Sequence, residues 1–153
     1  MLTGGTISWK SRRQDQCVSL STSETEYVAA SQCGQEVLYL REILRDFGFA
    51  QAAPTQVYED NLACVAMSEN PVRRKFSQHI DVRYYFVRDL VAHRVMKLVP
   101  LRTHNMVADQ LSKSLPAPAL VKHRDVMVGR VPLPLASIAS DAELSKLQYY
   151  TAE

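Results

Sequence analysis

The sequence predicts an α/β fold. Short segments that alternate apolar and polar residues, or cluster β-branched ones, fall at 6–11, 55–58 and 95–101, and stretches of helical periodicity lie between them. Turn and cap residues stand at the joints between these segments. Thr6-Ile7-Ser8-Trp9-Lys10-Ser11 follows a Gly-Gly turn and alternates as a half-buried strand does. Ser21 with Glu24, and Ser23 with Glu26, each offer a capping box for a helix whose apolar positions run through Tyr27, Ala30, Val37, Leu38, Leu40, Ile43 and Leu44. Gly34 offers a point where this helix divides in two, and Gly48 a stop. After Pro54, residues 55–58 read as a strand that ends at Asp60, and 61–68 as a short helix closed before Pro71. Ile80, Tyr84, Val87 and Val91 recur on one helical face, widened by Phe86 and Leu90. Residues 95–101 form the next strand. Thr103 or Asn105 caps a helix over 108–115, and beyond Pro116 and Pro118 a further helix covers 119–128. Pro132 and Pro134 mark a change of character, so the chain divides into a domain over 1–130 and a tail over 131–153 that forms a short helix or stays disordered.

A length of 153 residues suits one domain with a real core, and the 46% hydrophobic and 22% charged content is that of a globular chain. The formal net charge of +2 does not advertise a nucleic-acid binder, so any such surface must be a local patch. Cys17, Cys33 and Cys64 are odd in number and widely spaced, without zinc-finger spacing, which favours reduced structural thiols. No apolar run is long enough to span a bilayer, and the first residues do not read as a signal or transit peptide. The expectation is an intracellular protein, cytoplasmic or nuclear, without a membrane partner.

Four pieces stand out in order: Ser-Glu-Thr-Glu-Tyr-Val-Ala at 23–29, Tyr-Glu-Asp-Asn at 58–61, His-Ile-Asp-Val-Arg-Tyr-Tyr-Phe-Val-Arg-Asp at 79–89, and Ala-Asp-Gln-Leu-Ser-Lys at 108–113. Together they resemble the ribonuclease H domain that ends copia-type LTR retrotransposon polyproteins. The resemblance runs over about residues 6–130 and is carried by the joint set rather than by any one piece. It implies a ribonuclease H-like mixed sheet flanked by helices, and cleavage of the RNA strand of RNA–DNA hybrids. It further implies Glu26, Asp60 and Asp109 as ligands of two magnesium (or manganese) ions, His104 as a loop histidine beside the last aspartate, and the reverse transcriptase portion of a parent polyprotein as partner. The chemistry is consistent with those residue types. Phosphodiester hydrolysis with two divalent ions about 4 Å apart calls for several carboxylates brought from distant parts of the chain, and hard cations take oxygen ligands.

Family members carry a further aspartate on a first strand ahead of the Ser-Trp-Lys-Ser segment, which here begins at residue 8. The resemblance therefore implies a domain without its first two strands. It also implies either a fragment that is a poor nuclease alone or a catalytically inactive remnant that at most binds nucleic acid. Local readings compete with these roles. Glu26 alone is a helix-capping carboxylate, Asp60-Asn61 a strand-ending turn or N-cap, and Asp109 a solvated acid at a helix start. Arg12, Arg13, Arg73, Arg74 and Lys75 are solvated charge, or contacts to hybrid phosphates. Trp9 reads as a packing anchor and Tyr85 as the exposed member of the Tyr84-Tyr85-Phe86 group. His93, His104 and His123 are scattered and form no metal motif.

Overall fold

The structure, a computed structural model, describes residues 5–11, 22–69 and 78–132, with side-chain surroundings from residue 82 in the second half. Arg12, Arg13, Arg73, Arg74 and Lys75 lie outside the described residues, as does the tail from residue 133. In chain order the elements are α1 (Thr22–Asp46), β1 (Thr55–Glu59), α2 (Leu62–Glu69), α3 (Gln78–Ala92), β2 (Met96–Pro100) and α4 (Ala117–Met127). Two 3₁₀ turns, Thr103–Asn105 and Val107–Leu111, join β2 to α4. Helix and strand are mixed as an α/β chain requires. β1 and β2 pair in parallel, from Thr55 opposite Met96 to Glu59 opposite Pro100. Parallel strands need a long crossover, and α2 and α3 supply it.

The core lies where α1, α2 and α3 close on this strand pair. Tyr27, Ala30 and Val37 of α1 meet Cys64 and Val65 of α2, Tyr84, Val87 and Leu90 of α3, and Met96 and Leu98 of β2. Each fully buried aliphatic chain of this set contributes about 1.5–3 kcal/mol relative to exposure. Tyr27 joins α1 to α3 twice: its ring lies 5.3 Å from that of Tyr84, and its hydroxyl donates to the Tyr84 carbonyl at 3.4 Å. The Arg88 guanidinium sits over the other partner of this pair, 5.4 Å from the Tyr84 ring centre. Tyr85 is exposed, as its helical position implies.

Helix α1 is continuous through Gly34. That glycine is buried against α3 and β2, and a Cβ there would stand 2.7 Å from Leu90 Cδ1. It lets two helices approach rather than breaking one. Gly48 does end the helix. At φ +84° it sits in the left-handed region, with its N–H donating to Arg45 O and the Phe49 N–H to Leu44 O, a Schellman stop. Arg41 then ties α1 to the incoming strand by donating to Ala53 O at 2.9 Å and to Thr55 Oγ1 at 3.1 Å.

Several local expectations are corrected. Residues 6–11 form no strand: they are irregular, half-buried at Thr6 and exposed from Ile7 on, and held by Thr6 N–H to Met127 O and Ser11 Oγ to Leu111 O. Alternation alone does not make a strand when, among the described residues, no neighbouring strand completes its hydrogen bonds. Trp9 is 70% exposed, not the buried packing anchor that the sequence suggests. Among the described residues the sheet consists of the one parallel pair, β1 and β2. The helix over 108–115 is replaced by the two 3₁₀ turns, because neither turn has a side-chain cap and Pro116 leaves too few residues for a stable α-helix. Pro116 and Pro118 do not delay the next helix. Pro116 is the N-cap of α4 and Pro118 lies in its first turn, where a missing N–H costs little.

Candidate functional site

The site begins at the C-terminal end of β1. Along the strand, Thr55, Val57 and Glu59 share the inward side by the period of two, and Glu59 is buried. The next residue, Asp60, leaves the strand in a bend. Asn61 then caps α2: its Oδ1 accepts from the N–H groups of Ala63 at 3.0 Å and Cys64 at 3.2 Å. The capping role open to the Asp60-Asn61 pair thus falls to the asparagine, and Asp60 lines the neighbouring cleft. Asn61 Nδ2 also donates to Ser23 Oγ at 3.3 Å, which fastens the end of β1 to the first turn of α1. That link brings Glu26 beside Asp60.

Of the two acids at the start of α1, Glu24 is buried and Glu26 half-buried. Two residues apart on a helix, they point in opposite directions. Burial raises the Glu26 carboxyl above its ordinary range. The negative charge of Asp60, and more weakly that of Asp109, raise it further, while Lys113 pulls it down. Asp109, in the second 3₁₀ turn, accepts from Lys113 Nζ at 2.7 Å, an i, i+4 pair closed by the Lys113 N–H to Asp109 O hydrogen bond. The Lys113 ammonium is held protonated first by this hydrogen bond, and also by the charges of Asp109, Asp60 and Glu26. Glu26, Asp60 and Asp109, which are distant in sequence, therefore share one electrostatic neighbourhood, and Lys113 stands in it.

Asp60 and Asp109 line the same open cleft, of about 720 Å³, together with Arg102, Thr103, His104 and His123. His104 is exposed on the first 3₁₀ turn. His123 of α4 is buried, and its Nε2 lies 3.3 Å from the His104 carbonyl. A carbonyl only accepts, so Nε2 carries the hydrogen, and Nδ1 has no partner among the described residues. Its neighbour Lys122 donates to Oδ1 of the buried Asn105 at 2.6 Å. Two successive residues of α4 thus grip two successive residues of the turn that carries His104.

Glu59, Lys113 and His123 were not among the residues singled out by sequence. Burial pushes the Glu59 carboxyl up to about 7, with Glu26 and Asp60 adding to the rise and the Asn61 N–H hydrogen bond opposing it. Alternation from Val57 carried the signal for Glu59. The four-residue step from Asp109 carried it for Lys113. Nothing local marked His123.

Three carboxylates are the donor chemistry a hard divalent cation takes. Among the described residues no three His, Cys, Asp or Glu side chains stand together in a group that could hold a metal ion. No reaction step is accordingly assigned to a metal.

The chain is similar to retrovirus-related Pol polyproteins from plant transposons. It is 38% identical over 114 residues to that of transposon TNT 1-94 of Nicotiana tabacum, an alignment covering 74% of this chain and 8% of the polyprotein. It is 32% identical over 109 residues to those of transposons RE1 and RE2 of Arabidopsis thaliana, covering 71% of this chain and 7% of each polyprotein. The chain thus spans less than a tenth of the length of these curated relatives. No family model and no solved structure matches it.

Proposed function

We propose that this chain is a segment of a retroelement Pol polyprotein with a ribonuclease H-like fold, whose parent activity is hydrolysis of the RNA strand in RNA–DNA hybrids. The observation that carries this reading is the meeting of Glu26, Asp60 and Asp109 in one electrostatic neighbourhood, in the chain order of the motifs that resemble that domain. Homology to Pol polyproteins over most of the chain supports it independently. In this proposal the three carboxylates are ligands of magnesium or manganese, and His104 serves the loop beside Asp109. Arg12, Arg13, Arg73, Arg74 and Lys75 contact hybrid phosphates, and the reverse transcriptase portion of the parent polyprotein is the partner. The test is cleavage of an end-labelled RNA–DNA hybrid in magnesium, with a DNA duplex of the same sequence as control. Cleavage confined to the RNA strand of the hybrid, and lost in Asp60→Asn, supports the reading. Cleavage that persists in Asp60→Asn removes Asp60 from it.

A second reading is a module that binds nucleic acid without cutting it. The spacing of the carboxylates favours this for the chain by itself. Hybrid binding without cleavage under the same conditions is its expected result.

A further inference from the structure

Helix α4 carries apolar side chains on two sides. Its inner side buries His123 and Val126. On its outer face Ala117, Leu120, Val121, Arg124 and Val128 recur at helical spacing, and all of them are exposed. Leu120 and Val121 are each 45% exposed and Val128 58%. A helix that has buried one face in a fold normally shows polar residues on the other. The helix stops at Gly129, at φ +75°, where the N–H groups of Gly129 and Arg130 donate to Val126 O and Asp125 O and take the chain off the helix axis. At this end Arg124 and Arg130 share the carboxylate of Asp125, at 2.8 and 3.5 Å, and more than half of each arginine side chain is exposed. Two guanidiniums on one carboxylate leave a surplus of positive charge.

We propose that the chain's own C-terminal segment covers this face: residues 140–151 form a helix packed antiparallel on the outer side of α4. The sequence of the segment fits. Ser140 with Glu143 is a capping box, and Leu144, Leu147 and Tyr150 step along one helical face beside Thr151. A helix over 140–151 is about 18 Å long, against about 16 Å for α4. Residues 132–139 suit the connections of about 2–8 residues that join antiparallel helices. Antiparallel order brings Asp141 and Glu143 to the end of α4 that carries Arg124 and Arg130, so opposite charges meet there. On so short a tether the segment reaches an effective concentration of about millimolar, which a second copy in dilute solution does not match. α4 grips the turn of His104 through Lys122 and His123, so the docked segment braces that wall of the cleft from behind.

The experiment is amide hydrogen exchange of the full chain in dilute solution, read by mass spectrometry on peptides covering 140–151. The unsubstituted chain should protect these amides. Leu144→Gln with Leu147→Gln keeps helix propensity and removes the apolar contact, and should speed their exchange about tenfold or more. Leu120→Gln with Val121→Gln changes only exposed residues of α4, so the fold is kept. It should speed exchange over 140–151 to the same extent, although it lies in a different element. Combining the two pairs should add little to either alone, because both remove one contact. Free exchange over 140–151 in the unsubstituted chain overturns the proposal. Protection that survives Leu120→Gln with Val121→Gln overturns it by seating the segment elsewhere. Protection that appears only as protein concentration is raised overturns it in favour of docking on a second copy.

Discussion

Glu59 shows most clearly how one side chain couples this site to stability. It is buried at the end of β1, and its carboxyl is raised to about 7 from an ordinary 4.5. Between those values the folded chain holds a proton that the unfolded chain has released, so the contribution of this group to stability is greatest below about pH 4.5 and is lost as pH rises to about 7. Glu59→Gln keeps an acceptor for the Asn61 N–H and carries no charge. It should raise stability at pH 8 by roughly 1–3 kcal/mol and flatten the decline between pH 5 and 7, measured by urea denaturation across that range. A wild-type decline that persists in Glu59→Gln would assign it to other groups. Asn61 works in the opposite sense. It caps α2 through two N–H groups and holds Ser23 across the site. Asn61→Ala should cost about 1 kcal/mol in the same denaturation experiment, and Asn61→Asp, which keeps the cap, should recover most of it.

At the level of elements, the approach of α1 to α3 governs how firmly Glu26 is held, because Glu26 lies one residue before Tyr27, which binds Tyr84. Gly34 sets that approach two turns further on. Gly34→Val places branched carbons against the buried Leu90 and should destabilise the chain by about 1–3 kcal/mol, read as a lower urea midpoint with an unchanged slope. The sequence made α3 and β2 legible, since one carries an apolar face of helical period and the other is a short, mostly apolar segment between turns. It also made Gly48 legible as a stop, because only glycine takes that backbone conformation without strain. It misled at Gly34, where the lack of a side chain serves packing between elements that sequence does not place. It misled at 6–11 and 108–115 for a shared reason. A strand needs a neighbour and a short helix needs a cap, and neither is visible in a segment's own periodicity. The candidate site was legible in its three acids through motif order. The shared cleft of Asp60 and His104, and the pairing of Asp109 with Lys113, depend on how β1, the 3₁₀ turns and α4 meet.

For the molecule as a whole, bringing acids together is not yet placing them as a hydrolytic site requires. Charge stabilisation by a positioned group is commonly worth about 2.7–4 kcal/mol of the barrier. Carboxylates outside metal-ligand spacing forfeit much of it. The 153-residue chain should accordingly cleave RNA–DNA hybrids at least a hundredfold more slowly than a nuclease whose ligands are in place, in a single-turnover assay with magnesium. Robust turnover lost in Asp60→Asn would show that the cations themselves complete the spacing. The sheet has a further consequence. β1 and β2 are joined only by residues about forty positions apart, so neither strand can form its hydrogen bonds from local sequence, and closing that loop costs entropy before any contact offsets it. The end of β1 that carries Glu59 and Asp60 should accordingly order late in folding, read as φ-values near zero for substitutions there.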